Sequence, residues 1–145
     1  MKTKMLVFLM LIAVNSFAQD REKIVEKRTR DLYEALKSSD KAVWKKYVEE
    51  NYSPALIEKR GMEKILGMWQ NLHNDFGTSK LVSVEMKDNL SEMMLKQTDG
   101  PLMARFTLTP EAKAPYRWEL LSIQAGDKLE DTFPKKGNGE VIIKN

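Results

Sequence analysis

His73 is the only histidine in the chain, and there is no cysteine. Proton transfer near neutral pH would therefore have to start from this one ring. An imidazole held among apolar side chains has its pKa lowered by burial and suits a general base. Trp69 and Phe76 flank His73 at helical spacing, so one reading is a small cofactor-free isomerase or lyase acting on an apolar substrate near that residue. Such a base needs a carboxylate to orient it. Asp75 cannot serve, because two residues of helix rotate a side chain by about 200°. The competing reading has the ring packing in the core with one nitrogen bonded to a backbone carbonyl. We adopt that second reading and assign no catalytic residue.

Other reactive patterns are missing from the sequence. It contains no HExxH, GxSxG, glycine-rich phosphate loop or EF-hand spacing, and its carboxylates are scattered among lysines. Neither a metal nor a cofactor is expected. Tyr33, Tyr52 and Tyr116 could edge a pocket, and strand phasing turns Glu85, Glu92 and Glu119 away from the core. A small apolar pocket, if present, would be lined by Trp69, His73, Phe76, Phe106 and Trp118.

The elements that must position these residues follow from periodicity. Met62 to Phe76 is an amphipathic helix with Met62, Ile65, Leu66, Trp69, Leu72, His73 and Phe76 on one face. Gly77 is expected to end it in the left-handed conformation. Gln19–Lys37 and Lys41–Glu49 are two further helices, with Ser39 or Asp40 capping the second. Ser53-Pro54 opens a helical stretch in which Leu56 and Ile57 are out of phase with the residues that follow, so a break belongs at Arg60-Gly61. After Gly77 the period becomes two. Strands are expected at Leu81–Lys87, Glu92–Gln97, Leu102–Thr109 and Tyr116–Gln124. The last of these changes phase, which a bulge at Leu120-Leu121 would explain, as would an end covered on both sides. The fold class is α+β: three N-terminal helices, the third interrupted, packed on a curved antiparallel sheet of four or more strands, with the Met62–Phe76 helix lying across it. Within the tail, 125–145, Val141-Ile142-Ile143 reads as a short edge strand.

The first residues have a different character. Lys2 and Lys4 precede an apolar run from Met5 to Val14, and Ser16-Phe17-Ala18 follows. That is the anatomy of a secretory signal peptide over 1–18, with cleavage near Ala18 and a single domain over 19–145. The run is too short for a permanent span of about 20 residues, so no stable membrane anchor is expected after processing. The destination is periplasmic or extracellular. Without Lys2 and Lys4 the balance is 22 basic against 21 acidic residues, which gives no reason to expect a nucleic-acid partner.

Helix, short helix, interrupted helix and then a curled antiparallel sheet resembles the nuclear transport factor 2-like superfamily. Asn51-Tyr52-Ser53-Pro54-Ala55-Leu56, Leu72-His73-Asn74-Asp75-Phe76-Gly77 and Ala114-Pro115-Tyr116-Arg117-Trp118-Glu119 look like stretches of accessory domains in secreted bacterial serine hydrolases and peptidases. The resemblance implies an α+β cone and admits isomerases, dehydratases and plain interaction domains alike. It also implies self-association through the sheet. Met94, Met103, Arg105, Leu121 and Ile123, phased to the outer face, are the expected homodimer interface, with coverage by the 129–143 stretch as the alternative. The function expected is that of an exported, non-catalytic binding or protein-interaction module.

Overall fold

The computed structural model describes residues 2–127, and for residues 2–16 the backbone alone. The tail stretch beyond 127, including Val141-Ile142-Ile143, lies outside the described residues. Helix α1 spans Lys2–Lys37, α2 Lys41–Asn51, α3 Pro54–Arg60 and α4 Met62–Phe76. Strands β1 Lys80–Lys87, β2 Leu90–Lys96, β3 Met103–Pro110 and β4 Trp118–Gly126 follow. They form one antiparallel meander in the order β1-β2-β3-β4. The fold is α+β, with the helices preceding the sheet in the chain, consistent with a cone-like arrangement.

Local chemistry sets the helix boundaries. The Asp40 carboxylate accepts from the Ala42 N–H and caps α2, and the Ser53 hydroxyl accepts from Leu56 N–H with Pro54 in the first turn of α3. The expected break is present at Gly61, whose φ of 80° only glycine adopts without strain. Gly77 differs from expectation. Its φ is −61°, right-handed, so its freedom to turn left is not used. What it supplies is room: a Cβ there would stand 2.5 Å from both Nδ1 and the carbonyl oxygen of His73. Gly77→Ala is therefore expected to cost about 1–3 kcal/mol through overpacking, read as a lowered urea midpoint, although alanine is otherwise the better helix former.

Strand phase decides which side chains enter the core, and two bulges reset it. Leu81 pairs with Leu95 and Ser83 with Met94, which leaves Val82 as the extra residue, 55% exposed, although strict alternation from the outward Glu85 would turn it inward. On β4 Thr109 pairs with Leu120 and Pro110 with Trp118, so the extra residue is Glu119 and no bulge falls at Leu120-Leu121. Leu121 then sits opposite Leu108 and Ile123 opposite Phe106, on the helix-facing side. Leu120 joins Thr109 on the outer side. A slip of one residue exchanges every side chain between the faces.

The core gathers Met93, Leu95, Ala104, Phe106, Leu108, Trp118 and Leu121 from the sheet against Val25, Leu32, Leu36, Trp44, Val48, Trp69 and Phe76 from the helices. Helix α1, rather than α4, lies on β1 and β2, and α3 meets β4. At the α1–β2 seam the Thr29 and Ser91 hydroxyls are 2.7 Å apart, both fully buried, with Thr29 also donating to the Val25 carbonyl. Helix α4 packs against α1, α2 and α3. Its Trp69 ring lies 6.4 Å from Trp44 and 5.3 Å from Tyr47. The apolar stripe of α4 thus faces a second helical layer, because α1 already fills the sheet surface with Val25, Leu32 and Leu36.

A polar network ties the two halves of the chain. Trp118 Nε1 donates to the Tyr47 hydroxyl at 2.8 Å, and Tyr47 donates to the Arg28 carbonyl at 2.9 Å. The Arg28 guanidinium donates to Asn51 Oδ1 and to the Glu50 and Pro115 carbonyls. Ser53 N–H donates to the Trp118 carbonyl, and Tyr52 forms a parallel bridge with Trp118.

Candidate functional site

The α3–α4 joint opens a groove. At Gly61 the chain turns so that Leu56 and Arg60 of α3 face the same space as Lys64, Ile65 and Met68 of α4, with Tyr52 before α3 and Leu121 of β4 completing the lining. Its volume is about 240 Å³. Leu121 reaches this position only because the bulge at Glu119 turns it inward.

Leu56, Ile65, Met68 and Leu121 make the groove apolar. The Tyr52 hydroxyl accepts from Trp69 Nε1 at 3.2 Å, within a buried pair. Burial pushes its pKa well above that of an ordinary tyrosine, and the bond from Trp69 only partly offsets this. Tyr52 therefore stays protonated at neutral pH, able to donate and unable to act as a base. Arg60 and Lys64 add positive charge. No carboxylate or imidazole lines the groove.

The residues singled out in the sequence lie elsewhere. Trp69, Phe76, Phe106 and Trp118 are buried in the core between the layers. His73 is part-buried at the junction of α4 with α1, its ring 5.6 Å from that of Trp44. Its Nδ1 donates to the Leu36 carbonyl at 2.8 Å, which places the proton of the neutral ring on Nδ1. None of the five lines the groove. On the sheet, Met94 and Arg105 face away from the helices but are only 9% and 3% exposed. Arg105 Nε is 3.5 Å from Glu92, which Lys87 also approaches at 3.8 Å. Met103 is half-buried on that face. Leu121 and Ile123 belong to the opposite, helix-facing side, as the register requires.

Leu56, Arg60, Lys64 and Met68 were not singled out by sequence reasoning. A signal was present all the same: the change of apolar phase between Leu56-Ile57 and the α4 stripe marks the joint where the groove opens. Among the described residues no group of three or more His, Asp or Glu could hold a metal ion, and no helix is long and apolar enough to cross a membrane. Comparison with protein-family models, with curated proteins and with solved structures gives no match.

Proposed function

We propose that this protein is an exported, non-catalytic binding module of nuclear transport factor 2-like type that holds a small apolar ligand in the α3–α4–β4 groove. One observation carries the reading: an apolar recess with no group that exchanges protons near neutral pH. Leu56, Ile65, Met68 and Leu121 offer burial, Tyr52 completes the wall, and the cations Arg60 and Lys64 offer charge. An isomerase or lyase would need a general base in contact with its substrate. Tyr52 is held protonated, and His73 is committed to the Leu36 carbonyl away from the groove. The volume suits one short chain or one ring, below the 300–1,000 Å³ usual for drug-sized ligands.

The test is titration of the ¹⁵N-labelled protein with 1-octanol, a neutral apolar probe. Amide shifts are expected at Leu56, Ile65, Met68 and Leu121. Met68→Trp should fill the groove and abolish them while leaving the rest of the spectrum folded. His73→Ala should leave the shifts unchanged and lower stability by about 1–2 kcal/mol, through one lost hydrogen bond and some packing. Shifts confined to other surfaces, or binding that follows His73 in place of Met68, would overturn the proposal.

A further inference from the structure

We infer that the groove selects an amphiphilic anion, a single-chain carboxylate of medium length, with Arg60 and Lys64 receiving the head group. This rests on the reading of the groove as a ligand site and adds the chemical class of the ligand. Five helical cations of this protein stand beside a carboxylate of their own helix. Lys27 pairs with Asp31, Arg30 with Glu26, Lys37 with Glu34, Lys45 with Glu49 and Lys46 with Glu50. Arg60 and Lys64 stand on either side of the Gly61 turn, and both line an apolar recess that no carboxylate shares. Neither makes an ion pair with any described residue. Unpaired charge of one sign at the edge of an oily surface is complementary to a molecule with an anionic head and an apolar tail. Arg60 presents a planar fork that matches a carboxylate with two parallel hydrogen bonds, and Lys64 adds a mobile point charge.

The size of the recess narrows the class. At about 240 Å³ it lies below the 300–1,000 Å³ usual for drug-sized ligands, which favours one chain of medium length. Affinity should rise about fourfold for each methylene from hexanoate to octanoate, the increment expected for a buried methylene. The gain per methylene should shrink once the chain outgrows the recess.

Titration of the full chain with octanoate and, separately, with 1-octanol tests the inference. Octanoate is expected to bind about tenfold more tightly, as a charge-assisted contact implies, and the preference should shrink as salt is added, because the head-group end is open to solvent. The double variant Arg60→Gln/Lys64→Gln alters side chains at the rim and should keep the fold. In it the preference should vanish, octanoate losing about tenfold more affinity than octanol, and a variant carrying Arg60→Lys in place of Arg60→Gln should recover part of the difference. Equal binding of both probes in the wild type, or a preference indifferent to the double variant, would overturn the head-group assignment and leave the groove a neutral apolar site. Absence of groove shifts with either probe would overturn this inference and the binding reading together.

Discussion

Replacing Trp118 by alanine is expected to bring the protein to the edge of unfolding at room temperature. The indole is fully buried among core residues of both layers, and removing such a side chain costs about 3–5 kcal/mol in lost transfer energy and residual cavity. The same change removes the Nε1–H that the Tyr47 hydroxyl accepts at 2.8 Å, adding a buried group short of one partner, about 1 kcal/mol or more. The neighbourhood cannot collapse easily, because the Trp118 backbone holds Ser53 N–H and bridges Tyr52. Against a total stability of about 5–15 kcal/mol for a domain, the loss is decisive. Urea unfolding followed by circular dichroism should show the midpoint collapsing for Trp118→Ala and falling about half as far for Trp118→Phe, which keeps most of the volume. A Trp118→Ala midpoint close to that of the wild type would mean that the meeting of the α2–α3 turn with the start of β4 is not the keystone the packing indicates.

The second large effect is expected in alkali. Burial drives the Tyr47 hydroxyl well above the ordinary tyrosine value, with the hydrogen bond from Trp118 pulling the other way. Burial does the same for Tyr52, with the bond from Trp69 opposing. In the unfolded chain both ionise near pH 10. Below that pH folded and unfolded states carry the same protons, and the stabilisation is intact. Above it the unfolded chain releases protons that the folded protein retains. Stability then falls by up to about 1.4 kcal/mol per pH unit for each tyrosine, close to 3 kcal/mol per unit for the pair, until the folded-state values are reached. Denaturation series from pH 8 to pH 12 should show a flat region and then this descent. Tyr47→Phe and Tyr52→Phe should each start lower at neutral pH, because Trp118 or Trp69 loses its acceptor, yet descend less steeply. Equal slopes in all three proteins would assign alkaline unfolding to other groups.

Much of the local structure is legible in the sequence because it depends on near neighbours. The caps at Asp40 and Ser53, the proline that opens α3 and the break at Gly61 are short-range hydrogen-bonding and φ/ψ effects. The stripe of α4 and the alternation within β2 and β3 follow from periods that each segment carries alone. The α+β class follows from their order along the chain.

The tertiary structure decided the rest. Helix α4 carries the sharpest apolar stripe of the long helices, yet packing laid α1 on the sheet and left the α4 stripe to Trp44 and Tyr47. Alternation marks two faces of a strand without saying where an extra residue resets them. The bulges at Val82 and Glu119 became visible only through pairing with β2 and β3, and the second of these moved Leu121 from the expected outer face to the groove wall. The phase change after Leu56-Ile57 marks the joint, but the groove combines residues from before α3, from α3, from α4 and from β4, so its lining follows only from their packing. A chain encodes each element's preferences locally, whereas register, layer partner and cavity belong to contacts between segments far apart in sequence, and those form only when the whole chain has packed.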